Sequence, residues 1–183
     1  MFKKKKLNKI LVSETAYNDT DQYKIIASNI SVLNLLQEEG AELEELHDDA
    51  VTSYFLDYYL TQYKEGNFSK FAHHSQWHED LNQNIAIGLE KIGAKKHLEL
   101  FTELCEKVED IEEETLDAFI DNDFADSPEI IEFLNSDAFF GIDEDLVALN
   151  AKWLKNHPDL KALPIEGVFV RIEKFLGKKI SKY

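Results

Sequence analysis

The segment 42-ELEELHDDAVTSYFLDYYLTQYK-64 decides the fold. Its apolar side chains fall at Leu43, Leu46, Ala50, Val51, Tyr54, Phe55, Tyr58 and Tyr59, three and four residues apart. That spacing gathers them on one face of an α-helix and does not fit the two-residue period of a strand. Gly66 follows and is expected to stop the helix. So many aromatic rings are too much for one exposed face, so some of them belong to a core.

Outward from this helix the same period recurs. Residues 19–39 carry Ile25, Ile26, Asn29, Ile30, Leu33 and Leu36 before Gly40, and residues 78–92 carry Leu81, Ile85, Leu89 and Ile92 before Gly93. Residues 94–108 add Leu98, Phe101, Leu104 and Val108, and further on Leu116, Phe119, Ile120 and Phe124 share a face. Ser127 is placed to cap a helix with Pro128 at its first position, where the missing N–H costs nothing, and Glu129 near its positive end. In 141-GIDEDLVALNAKWLKNHP-158, Asp143 is expected to cap, Leu146, Leu149, Trp153 and Leu154 to be buried, and Pro158 to terminate. Residues 165–179 read as a last helix, although VFVRI (168–172) also reads as a short strand. Seven Gly and three Pro in 183 residues suit long helices better than many short strands. The expectation is an all-α fold: a single compact multi-helix domain over residues 16–183, preceded by a flexible basic segment, residues 1–15.

Hydrophobic residues make up 44% of the chain, with twelve Phe and seven Tyr, enough to bury a core. Against 36 Asp and Glu stand 20 Lys and Arg, a formal charge of −16. Phosphates would be repelled, so direct contact with nucleic acid or an anionic membrane is disfavoured and a basic partner favoured. Cys105 is alone, which excludes a disulfide framework within the chain and points to a reducing compartment. The apolar run Ile10-Leu11-Val12 is too short for a signal-peptide core, and no segment approaches a membrane span. A cytoplasmic protein is expected.

The charge concentrates between residues 108 and 146, which hold fifteen carboxylates, while no Lys or Arg occurs between Lys107 and Lys152. Like charges this dense destabilise a compact state, so their retention asks for a reason. The candidate partner-binding residues are Glu113, Glu114, Asp117, Asp121, Asp123, Asp126, Glu129, Glu132, Asp137, Asp143, Glu144 and Asp145.

Other chemistries are weaker. Asp121, Asp123, Ser127, Glu129 and Glu132 match the first, third, seventh, ninth and twelfth places of a calcium loop, but Ala125 takes a ligand place and Asp126 stands where Gly makes the turn. His74 and His78 are four apart and on a helix could hold zinc with His73, Glu79 or Asp80, but Ser75-Gln76-Trp77 also reads as a turn and solvated polar residues are the simpler account. Cys105 lies among Phe101, Leu104 and Val108 and reads as a small hydrophobe rather than a nucleophile. No phosphate loop, nucleophile elbow or paired-cysteine motif occurs. The expectation is no cofactor, no metal and no enzymatic activity. The N-terminal lysine run reads as a solvated tail.

The stretch 51-VTSYFLDYYLTQYKEGNFSKFAHHSQWHEDLNQNIAIGLEKIGAKKHLELF-101 resembles the central motif of the bacterial DNA-mimic protein family. The matching parts are the aromatic helix with Tyr54, Phe55, Tyr58 and Tyr59, the turn Glu65-Gly66-Asn67-Phe68 with Phe71 after it, and the closing Ile92-Gly93-Ala94. FFGIDEDLVALNAKWLKNHPDL (139–160) resembles the family's later segment, and the likeness spans roughly residues 20–160. The family's turn is Asn-Gly-Gly-Phe; here Asn67 replaces the second Gly, and Asn tolerates a left-handed backbone better than most residues. The resemblance implies an all-α fold and, for the characterised type, a protein whose acidic surface imitates the DNA backbone and occupies a DNA-binding protein such as a transcription regulator. It assigns Phe68 and Phe71 to the core.

The scale agrees. Duplex DNA carries one charge per about 1.7 Å of axis, so about fifteen exposed carboxylates equal the charge on roughly 25 Å of duplex. The first expectation is therefore a non-catalytic mimic, monomer or homodimer, that binds a basic DNA-binding protein. The alternative is an immunity- or inhibitor-type protein that neutralises a basic toxin enzyme. A third is a metal-dependent enzyme using His73, His74 and His78.

Overall fold

The structure, a computed structural model, describes residues 5–181. It is predominantly helical. Its elements run β1 (Ile10–Ser13), α1 (Glu14–Asn18), α2 (Tyr23–Glu38), α3 (Asp48–His74), α4 (Glu79–Ile92), α5 (Lys95–Glu109), α6 (Glu113–Asp121), α7 (Pro128–Leu134), α8 (Leu146–Lys155), β2 (Leu160–Leu163) and α9 (Ile165–Leu176). Short 3-10 turns occupy Leu43–Glu45, Phe124–Asp126 and Asp137–Gly141. They divide into two compact units, one within Met1–Tyr54 and Val147–Tyr183, the other Phe55–Leu146. No Gly-, Pro- or Ser-rich linker marks either boundary in the sequence.

The first unit adds one two-stranded sheet to the predominantly helical fold. β1 and β2 pair in parallel, with Ile10 opposite Leu160 and Ser13 opposite Leu163. Ile10, Leu11 and Val12 are all buried, as in strands covered on both faces. Residues 10–15, read from sequence as part of a flexible segment, therefore belong to β1 and the start of α1. Residues 1–4 of that segment lie outside the described residues. Ser13 ends β1 and caps α1, its Oγ accepting from the Ala16 N–H at 3.1 Å. VFVRI lies within α9, so the helical reading holds there. Two buried amides fasten the unit: Asn29 Nδ2 donates to the Ala50 carbonyl at 2.9 Å and Asn150 Nδ2 to the Ser53 carbonyl at 3.1 Å.

The second unit is built on rings. Tyr59, Tyr63, Phe68, Phe71 and Phe101 are fully or almost fully buried. Tyr59 meets Phe71 and Phe101 edge-on at 5.1 and 5.2 Å, and Tyr63 stacks on Phe139 at 3.9 Å. Each such pair adds about 0.5–1.5 kcal/mol beyond burial. Tyr54, Phe55 and Tyr58 are only half-buried, so the aromatic face of α3 is core along one edge.

As the sequence suggests, the helical run of α3 is interrupted at Gly66. It breaks at Gly66 and Asn67 and resumes at Phe68. Gly66 is needed for space, since a Cβ there would lie 2.6 Å from Lys70 Cδ and 2.9 Å from Lys70 Cβ. Asn67 holds φ +68° and ψ −168°. That is beyond the left-handed helical region and is essentially a glycine conformation, costing of order 1–3 kcal/mol elsewhere. The Asn67 Oδ1 offsets this by accepting from the Phe68 N–H at 2.7 Å and the Ser136 N–H at 3.0 Å. Asn135 Oδ1 in turn accepts from the Ser69 N–H at 3.2 Å. The turn thereby fixes the segment that follows α7.

Candidate functional site

The acidic segment folds into two short helices and two 3-10 turns. Phe119 anchors α6, Leu134 anchors α7 and Phe139 anchors the turn after it, each buried. Their apolar spacing is what turns the remaining positions outward. Glu113, Glu114, Asp117 and Asp121 project from α6, Asp123 and Asp126 flank the first turn, Glu129 and Glu132 lie on α7, and Asp137 opens the second turn. All nine are exposed, and none pairs with a cation among the described residues.

Local electrostatics split this group. Glu113, Glu114 and Glu129 sit in first turns, where the helix dipole favours them. Asp121 sits at the last position of α6, where no basic residue accompanies it and the dipole opposes it by about 0.3–1 kcal/mol. Ser127 occupies the cap position of α7 but its side chain makes no capping bond. So the segment keeps charge where local stability does not ask for it.

Three of the sequence-derived candidates stand apart. Asp143 does not cap α8, which starts at Leu146; it pairs with Lys96, and that pairing holds its carboxyl below the usual range. Glu144 is half-buried and serves α5. Its carboxylate accepts from the Lys96 N–H at 3.0 Å and the His97 N–H at 3.2 Å, where Ala94 offers no capping side chain. Asp145 is exposed beside them.

Sequence reasoning missed two rings in the acidic segment. Phe133 and Phe140 remain 46% and 59% exposed. The signal was present: Phe133 falls off the Ile130, Ile131, Leu134 stripe, and of the adjacent Phe139 and Phe140 only Phe139 turns inward. Lys107 lies 5.9 Å over the Phe133 ring.

The histidine cluster is not a helical zinc pair. Gln76 and Trp77 have φ of +52° and +49°, so a turn separates His74 from His78. His73 Nε2–H donates to the Asn122 carbonyl at 3.0 Å and its ring packs on Phe119 and Phe124, tying α3 to α6. The calcium reading meets a helix start at Pro128 inside its loop. Burial pushes the Cys105 thiol up to about 12, so it stays protonated and is a poor nucleophile.

Among the described residues, the His47, His157 and Asp159 side chains lie close enough to hold a metal. Their hydrogen bonds oppose it. His47 Nδ1 accepts from the Asp49 N–H at 3.2 Å and His157 Nδ1 from the Asp159 N–H at 3.1 Å. A neutral ring then carries its proton on Nε2, the nitrogen a metal would need, and His157 Nε2–H donates to Asp49 Oδ2 at 2.8 Å. Metal would have to break both backbone contacts. The cluster is a hydrogen-bonded clasp, completed by Lys9 on Asp159.

The charge is unevenly shared. The unit Phe55–Leu146 contains 23 carboxylates and six Lys, a formal −17, whereas the rest of the sequence has 13 carboxylates and 14 Lys and Arg, a formal +1. No helix among the described residues is long and apolar enough to cross a membrane.

A predominantly helical chain with a dense run of exposed carboxylates on α6, α7 and their turns defines a class: acidic proteins suited to a basic partner. The family model of the DMP19-like protein matches residues 44–157, well over half of the chain, and the chain belongs to that family. It is the DNA-mimic family that the aromatic helix and its turn resemble, non-catalytic and directed at basic DNA-binding proteins. The comparisons with curated proteins and with solved structures return no match.

Proposed function

We propose that Glu113, Glu114, Asp117, Asp121, Asp123, Asp126, Glu129, Glu132 and Asp137 take the place of duplex phosphates on the DNA-binding face of a basic protein, with Asp143, Glu144 and Asp145 at the margin. The observation that carries this is the run of exposed carboxylates on α6, α7 and their turns, none of the nine paired with a cation among the described residues. Neighbouring positions on a helix face have Cβ atoms about 5–6 Å apart, so rigid short helices hold such charge at a spacing comparable to phosphates. The partner would bring the Lys and Arg that normally meet DNA. Its on-rate would be raised by steering, and its affinity would fall steeply with salt.

The exposed Phe133 and Phe140 favour a second element. A duplex backbone offers no such rings, whereas buried aromatic anchors dominate many protein interfaces. A basic toxin enzyme captured by charge and two aromatic anchors is the alternative reading. Charge-reversal pairs at Asp117/Asp121 and Glu129/Glu132, tested on a candidate partner alongside Phe133→Ala, separate the two. Mimicry makes the reversals dominant; an anchored interface makes Phe133→Ala comparably damaging.

A further inference from the structure

The remaining charge anomaly lies in the other unit. A cleft of about 310 Å³ opens beside β1, β2 and α9. Lys5, Lys6, Lys9, Lys161, Arg171 and Lys174 line it, and among the described residues no carboxylate does. Six of the 20 basic residues in a chain of net charge −16 thus converge on one place. Its apolar surface comes from Leu7, Leu11 and Phe175.

Like charges so gathered repel unless something answers them. Lys6 pairs with Asp48 and Lys9 with Asp159. Lys5 lies 5.0 Å over the Phe175 ring, with its Nζ 3.4 Å from the Lys174 carbonyl. For Lys161, Arg171 and Lys174, no ion pair forms among the described residues. Among the described residues, two of the six cations are neutralised and four are left, a surplus suited to a multiply charged anion and excessive for a single carboxylate.

We infer that this cleft binds a small organic phosphate, a nucleoside diphosphate in size and charge, with its phosphates among Lys161, Arg171 and Lys174 and its flat apolar part against Leu7, Leu11 and Phe175. The volume is at the lower end of small-molecule sites, which run about 300–1,000 Å³. Arg171 supplies a planar fork that matches two phosphate oxygens, and the lysines supply point charge. The ligand would give the protein an anion-responsive site separate from its acidic surface.

The test uses ADP and inorganic pyrophosphate as probes, with the full chain, at constant ionic strength. Calorimetric titration and thermal shift should both report saturable binding, tighter for ADP than for pyrophosphate because only ADP uses the apolar floor. The variant Lys161→Gln/Arg171→Gln/Lys174→Gln should weaken ADP by about tenfold or more, while Lys24→Gln/Lys152→Gln, an exposed pair in the same unit, should change it little. Arg171→Lys keeps the charge and loses the fork, so it should also weaken ADP, and it covers the case in which the triple variant does not fold. No saturable binding overturns the proposal. So does equal weakening by the Lys24/Lys152 control, which would reduce the effect to general screening. Binding of a DNA duplex in preference to ADP would also overturn it, by making the cleft a nucleic-acid contact.

Discussion

Asn67 Oδ1 accepts the backbone N–H of Ser136 at 3.0 Å, joining the break in α3 to a position 69 residues later in the sequence. One side chain thus holds a strained turn and positions the acidic segment. The family's turn has Gly here, which relieves strain but forms no such bond. Asn67→Gly should therefore be close to neutral, within about 1 kcal/mol, as lost hydrogen bonds offset relieved strain. Asn67→Ala keeps the strain and leaves the Ser136 N–H unanswered, so it should cost about 1–3 kcal/mol. Urea unfolding of the two variants checks the order; Ala equal to Gly would contradict it.

Phe68 is fully buried among Tyr63, Phe71, Phe101 and Trp77. Phe68→Ala should cost about 3–5 kcal/mol. Phe55, only half-buried, should cost clearly less when truncated. Chemical denaturation of both variants measures the difference, and equal losses would remove the one-edge description of the aromatic helix.

Much of this was legible in local pattern. The three-four spacing located α2, α4 and α5, and Gly93 at φ +79° ends α4 as expected. The pairing of Ile10–Ser13 with Leu160–Leu163 was not legible, because four apolar-rich residues carry no period and their partner lies about 150 positions away. The break at Gly66 was legible as a helix stop; that a second helical run resumes at once from Phe68 was not. At the acidic surface, charge was visible but pairing was not. Nothing local distinguishes Glu144, which serves α5 from 47 residues away, from Glu132, which pairs with no cation among the described residues.

Glu144→Ala should accordingly behave as a lost helix cap. A cost of about 0.5–2 kcal/mol is expected, with partner affinity changed no more than by removal of one peripheral charge. Thermal unfolding and a binding titration on the same sample distinguish this from a primary contact, for which affinity would collapse while stability held.

His97 makes stability pH-dependent. It is buried, its Nε2–H donates to the Glu144 carbonyl at 3.0 Å, and burial depresses its pKa below the ordinary value. Its contribution is fully present above the unfolded pKa of about 6.5 and is lost as pH falls from there toward the lower folded value, because the unfolded chain takes up the proton first. The melting temperature of the wild type should fall more steeply on acidification through this window than that of His97→Gln. Parallel slopes would show that His97 is not the group responsible.

The central claim is that the carboxylates of α6, α7 and their turns stand in for DNA phosphates. With a basic DNA-binding partner immobilised and saturated with this protein, labelled duplex DNA is added over a range of concentrations and salt. The account predicts mutual exclusion: duplex binds only as this protein leaves, and the Asp117→Lys/Asp121→Lys variant, folded as judged by circular dichroism, fails to block it. Duplex binding at full affinity to the saturated complex would contradict the account.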